Sequence, residues 1–287
     1  MTEAAGAVDL SPKATLAEIH AANELAMQVW RQCEGVCAEY LASRGFDLAG
    51  VARSGFQVGY APSGGAVCDA LSSHGFPLRV AAAAGLVRMS AAGDWVDVFR
   101  ERLMFSVRHV HDGSIAGFVG RALPSAHRDA PRWLNTRSTA AFRKSELLYG
   151  LWEARQLIEH RRRLAALVVC EGPFDAIAAT HTCSTAAVAP AGTALTETQA
   201  RWIADLATAA RLPIVLAYDG DAAGERAAHK ARALIGSSSR HAVVSVAVLP
   251  PGEDPASVAV TDPAMLCERL GAFPAPPAVP AGGVRGR

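Results

Sequence analysis

Residues 164–175 read LAALVVCEGPFD, and residues 213–224 read PIVLAYDGDAAG. Each stretch opens as an apolar run of strand length, reaches an acid, and turns through a glycine into helical patterning. Glu171 ends the first run and Asp175 follows four residues on; Asp219 and Asp221 flank Gly220 at the end of the second. Between them, STAAVA (184–189) repeats the strand pattern and TETQARWIADLAT (196–208) the helical one. AAGERAAHKARALIG (222–236) and HAVVSVAVL (241–249) extend the alternation. This β-α-β-α-β-α-β order predicts a largely parallel sheet covered by helices on both faces. In such sheets ligands bind beyond the carboxyl ends of the strands, which is where Glu171, Asp219 and Asp221 fall.

Carboxylates gathered at one sheet edge repel one another unless a cation lies between them. A hard divalent ion, Mg²⁺ or Mn²⁺, takes oxygen ligands and keeps waters that a phosphate can displace. Such a site stabilises charge on a reacting phosphoryl group and on its leaving group. A DxD or an ExxxD alone is a common surface turn, and only their joint placement at strand ends gives them weight. A third acidic run, LPPGEDP (249–255), follows the last strand and brings Asp254 to the same edge.

EGPFD followed by DGDAAG resembles the TOPRIM signature shared by bacterial primases, type IA and II topoisomerases and some nucleases. Gly192-Thr193-Ala194-Leu195-Thr196 resembles the GTxLT loop of the primase version, and LPPGEDP its LPxGxDP motif. The resemblance implies metal ligation by Glu171, Asp175, Asp219, Asp221 and Asp254, with Glu171, Asp219 and Asp221 as the catalytic acids. The family usually carries a further acid where Ala256 stands.

The first half narrows the resemblance to the bacterial DNA primase core. Tyr40–Gly45 (YLASRG) is similar to YLxxRG, and residues 56–62 (FQVGYAP) to FxxGYAP. FRERLMF (99–105) is similar to FRxRxMF, GFVGR (117–121) to GFxGR, and RWLN (132–135) to KYLN. Lys144 with Leu148-Tyr149-Gly150 is similar to KxxxLYG. These run in order over about residues 25–270. Ser106, Ser145 and Val119 depart from the family pattern. The family implies that Arg44, Arg100, Arg102, Arg121, Arg132 and Lys144 hold phosphates, that Trp133 stacks a base and that Asn135 positions one. Arg suits phosphate through its planar fork, and an aromatic ring suits any base face. Individually, each Arg reads equally well as an exposed ion pair, and Trp133 as a core aromatic.

The expected architecture is α/β: a mixed N-terminal subdomain over 13–163, a Rossmann-like TOPRIM domain over 164–250, and a short helical segment with a disordered tail over 251–287. Residues 1–12 read as a loose leader. A single helix is expected from Lys13 to Arg44, a hairpin at Asp112-Gly113, a loop over 124–143 and a helix over 144–163.

The 287 residues are 51% hydrophobic and 19% charged, a globular balance. No run is long enough to cross a membrane, and no secretory leader is visible, so the expectation is a cytoplasmic protein. Residues 100–163 carry 13 Arg/Lys against 6 Asp/Glu, a local net of +7, while 164–287 carry 9 against 11, a net of −2. That juxtaposition suits a polyanion held beside a metal. The 6 cysteines form no CxxC pair and are expected as reduced thiols. His109 and His111 read as ordinary residues sharing one strand face. With no zinc-ribbon cysteine set and about 35 residues after the last strand, the sequence resembles minimal primases of mobile elements. The expected partners are a single-stranded DNA template and nucleoside triphosphates, with a helicase or separate template-recognition protein supplying template choice. A TOPRIM nuclease and a catalytically weak single-strand binder stay open as alternatives.

Overall fold

A computed structural model describes residues 13–160, 163–192 and 194–275. The leader, two residues of the basic triplet after position 160, Thr193 of the GTALT loop and the tail from 276 lie outside the described residues.

The chain opens with α1 (Leu16–Arg31) and α2 (Glu34–Ser43), so the single expected helix is two. The cause is that the apolar stripe serves two destinations. Ile19, Ala22, Ala26, Met27 and Trp30 of α1 fill one core, whereas Cys37 and Leu41 of α2 fill another. A straight helix presents one stripe and cannot reach both. A capping box starts α1: Thr15 Oγ1 accepts from Glu18 N–H, and Glu18 Oε2 from Thr15 N–H.

After α3 (Leu48–Arg53) come β1 (Val58–Ala61), α4 (Ala66–Ser73), α5 (Leu78–Ala83) and a small hairpin of β2 (Val87–Met89) with β3 (Trp95–Asp97). The expected hairpin forms as β4 (Arg102–Arg108) and β5 (Ile115–Ala122), with Gly113 at φ +73° in its turn. The segment expected as loop contains β6 (Trp133–Asn135), which pairs with β5 and places Trp133 beside Arg121. These strands make an antiparallel sheet of order β1-β4-β5-β6. Gly117 on β5 is required by packing, since a Cβ there would meet the Phe142 ring at 2.6 Å.

β7 (Leu148–Tyr149) precedes α6 (Leu151–His160), so that helix begins seven residues later than expected. Then β8 (Leu167–Cys170), α7 (Pro173–Thr182), β9 (Ala186–Pro190), α8 (Glu197–Ala210), β10 (Ile214–Ala217), α9 (Ala222–Ser238) and β11 (Val244–Val246) alternate as expected. The sheet order is β11-β10-β8-β9-β7, parallel except for β7. Two short helices, α10 (Pro255–Thr261) and α11 (Pro263–Arg269), return onto α7.

The two sheets share a core. Phe105 of β4 meets Phe174 of α7 edge-on with ring centroids 5.2 Å apart, and Phe56 stacks on Tyr149 at 5.2 Å. That contact fixes the β5–β6 surface opposite the carboxyl edge of β8 and β10.

Two expectations are corrected here. Cys183 and Cys267, expected as free thiols, form a disulfide with Cα atoms 5.4 Å apart, because α11 folds back onto the end of α7. A separation of 84 residues hides such a pair from any spacing rule. His109 and His111 sit beyond the end of β4 and face different neighbours, His20 and Trp202.

Candidate active site

Glu171 follows β8 directly, and the turn through Gly172 delivers Pro173 as the first residue of α7, where a missing N–H costs nothing. Asp175 lies one turn in. Its Oδ2 accepts from Gly172 N–H at 3.1 Å and its Oδ1 from Ala256 N–H at 3.4 Å. It is 8% exposed, and burial, then Asp254 and Asp219, push its carboxyl up to about 8. Ala256, standing where the family has an acid, thus contributes a backbone donor.

Asp219 follows β10. Burial, then Glu171, Asp254 and Asp221, push its carboxyl up to about 6, and only Arg132 opposes the shift. Asp221 caps α9, accepting from Ala223 and Gly224 N–H at 2.8 and 2.7 Å. Gly224 has no room for a side chain, since a Cβ would strike the Asp219 carbonyl. Asp254 caps α10 through Ser257 N–H at 2.6 Å. The loops are zipped together: Gly220 N–H donates to Glu253 O at 2.8 Å and Gly252 N–H to Gly220 O at 2.9 Å.

The expected acids therefore share one edge, spread along the ends of β8 and β10 and the start of α10. Among the described residues no three His, Cys, Asp or Glu side chains are placed to hold a single ion. Glu171 accepts from Asp219 N–H, and Asp221, Asp254 and Asp175 each accept from a backbone donor. The donor set still suits a hard divalent cation, because it is all oxygen.

Opposite this edge stands a cationic wall. Arg44, Arg121, Arg132, Trp133, Asn135 and Lys144 line the same cleft of about 980 Å³ as Glu171, Asp175, Asp219 and Asp254. Arg121 lies over the Trp133 ring at 5.0 Å and Arg44 over Phe174 at 5.2 Å. Asn135 donates from Nδ2 to Ala191 O at 2.7 Å, while its buried Oδ1 has no partner among the described residues. Trp133 is half-buried against Phe105 and Phe174, so it is partly a core aromatic.

Two expected cations are elsewhere. Arg102 is 4% exposed and donates to the Pro131 and Gly120 carbonyls, so its charge ties β4 to the loop before β6 instead of facing the cleft. Arg100 is exposed but does not line the cleft, and neither does Asp221. Conversely, Arg226 and Lys230 of α9 line it and were not anticipated. Their signal was present in AAGERAAHKARALIG: four-residue spacing directly after the acidic turn puts them on one helix face.

Residues 26–155 match the family model described as DNA primase catalytic core, N-terminal domain, and residues 168–259 match the Toprim-like model. The DNA primase of Geobacillus stearothermophilus is 40% identical over 224 residues, which are 77% of this chain and 35% of that protein. The chain thus spans about a third of the length of the curated relatives it matches. A solved DNA primase domain from Pseudomonas aeruginosa superimposes with a TM-score of 0.73 at 31% identity, covering 89% of this chain and 79% of that one. The RNA polymerase domain of Mycobacterium tuberculosis primase DnaG, in complex with a double-stranded DNA oligomer bearing a 6-nucleotide overhang, superimposes with a TM-score of 0.76 at 28% identity. That match covers 92% of this chain and 83% of the other. Matched motifs, fold and the paired acidic and basic walls agree, and the chain belongs to the bacterial DNA primase catalytic-core family, its second half being a TOPRIM-like domain.

Proposed function

We propose that the chain polymerises ribonucleoside triphosphates into short RNA on a single-stranded DNA template. The observation that carries this reading is that acids and cations line one cleft, with Arg132 close enough to Asp219 to oppose its pKa shift. In the reaction a primer 3′-hydroxyl oxygen bonds to the α-phosphorus of the triphosphate. The bond to the bridging oxygen breaks, pyrophosphate leaves with that electron pair, and the hydroxyl proton passes to solvent.

Glu171, Asp219 and Asp254 would hold Mg²⁺ or Mn²⁺, with Asp221 joining through the oxygen that does not cap α9 and Asp175 supporting the edge from beneath. When bound, the ion supplies charge neutralisation at the phosphoryl oxygens. Arg44, Arg121, Arg132 and Lys144 hold phosphates of template and nucleotide, Trp133 offers a ring edge to a base, and Asn135 Oδ1 accepts from a base or ribose donor. A helicase or separate template-recognition protein is the proposed source of template choice.

The test is incubation with single-stranded DNA, labelled ribonucleotides and Mg²⁺ or Mn²⁺, scored for oligoribonucleotides. A second reading, an accessory single-strand binder, is favoured by Ala256 standing where the family carries an acid. It predicts DNA binding without product in the same assay.

A further inference from the structure

Arg226 and Lys230 belong to α9, the helix that Asp221 caps. Ala223, Arg226, Ala227, Lys230, Ala231 and Leu234 all line the cleft, so one continuous face of α9 forms a second wall running away from the acidic edge. Glu225 and His229 are not on that face. Both cations are exposed, and among the described residues neither lies within ion-pair distance of an acid. The small Ala223, Ala227 and Ala231 keep the wall low between them. Four helical residues rise about 6 Å, so the two cations address two anionic groups about one turn apart.

That spacing fits either the distal phosphates of a triphosphate or neighbouring phosphodiesters of a strand. Position decides between them. The wall begins beside the acid edge, where the α-phosphate must sit, and its two cations follow that edge along α9, one turn apart. On the reading that this cleft polymerises nucleotides, we propose that Arg226 and Lys230 form its polyphosphate subsite. They grip the β- and γ-phosphates of the incoming nucleotide and then the departing pyrophosphate. Guanidinium and ammonium groups both suit phosphate oxygens, the first as a fork and the second as a point charge.

The test measures binding rather than turnover. A fluorescent, non-hydrolysable ribonucleoside triphosphate analogue, the matching monophosphate and a labelled single-stranded DNA are titrated in Mg²⁺ into wild type, Arg226→Ala/Lys230→Ala and Arg226→Lys. Both positions are exposed, and a thermal melt checks folding. The expected result is a tenfold or greater loss of triphosphate affinity in the double variant, with monophosphate and DNA affinities unchanged and Arg226→Lys intermediate. Inorganic tripolyphosphate should displace the analogue from wild type and fail to do so from the double variant's residual site. Unchanged triphosphate affinity overturns the subsite, and a loss confined to DNA affinity reassigns the wall to a nucleic-acid strand. A wild type that binds no analogue overturns the polymerase reading itself, which separates the two failures.

Discussion

Glu171 Oε1 accepts a hydrogen bond from the backbone N–H of Asp219 at 3.1 Å. The first acidic motif therefore holds the second in place, 48 residues along the chain. Gln at position 171 keeps an acceptor oxygen there, whereas Ala leaves the N–H without its partner. Glu171→Ala is expected to lose about 1 kcal/mol of stability and Glu171→Gln much less, in urea unfolding without metal. Both variants should lose primer synthesis, on the order of 100-fold or more. Full synthesis by Glu171→Gln would reduce this residue to a structural tether.

The cationic wall makes a salt-dependence prediction. Each phosphate contact on a single strand contributes a slope near about −0.7 in log affinity against log salt. Arg132→Ala/Lys144→Ala should flatten the slope by about 1.4 while the thermal midpoint stays put. Arg102→Ala should do the reverse, lowering stability with little change in slope, because its guanidinium serves buried carbonyls. Fluorescence anisotropy at several salt concentrations distinguishes them.

Glu153 on α6 is 2% exposed, and its nearest cation, Arg108 Nε, stands 3.9 Å away. Burial raises its carboxyl from the ordinary 4.5 to about 7, with Arg108 only partly offsetting. The fold thus favours the neutral acid. Between those values the native state keeps a proton that the unfolded chain has released, so stability falls as pH rises through the window and levels off above it. The size is about 3 kcal/mol. Glu153→Gln should remove that decline, so urea midpoints at pH 5 and 8 should differ less in the variant than in wild type. Equal pH dependence in both would place the titration elsewhere.

The Cys183–Cys267 disulfide fastens α11 to the end of α7, alongside hydrogen bonds from Ala275 N–H to Thr182 O and from Ser184 N–H to Phe273 O. Closing a loop of this size restrains the unfolded chain by about 4.5 kcal/mol in the chain-entropy model. Cys183→Ser/Cys267→Ser, or reduction, should lower the unfolding free energy by a large part of that. Unchanged midpoints in reductant, with thiol titration proving reduction, would contradict it.

The second half was the more legible because strand-helix alternation is written locally: LVVC, AAVAP and IVLA are apolar runs ending in turns. The acids announced their shared edge by following those runs. What the sequence concealed depends on contacts far apart in the chain. The break between α1 and α2 reflects two separate cores, the disulfide spans 84 residues, and Arg102 is spent on carbonyls that folding alone brings near. Arg226 and Lys230 look like ordinary solvated helix cations until α9 is laid along the cleft.

The central claim is that Asp219 and its neighbours serve a catalytic cation instead of merely capping loops. Purified wild type and Asp219→Asn are incubated with single-stranded DNA and labelled ribonucleotides across a Mg²⁺ and Mn²⁺ titration, with single-strand affinity measured in parallel. Wild type should make oligoribonucleotide products that vanish in excess chelator and fall by on the order of 100-fold or more in Asp219→Asn, while DNA affinity holds or rises. Synthesis that survives in Asp219→Asn, or that proceeds in chelator, would contradict it.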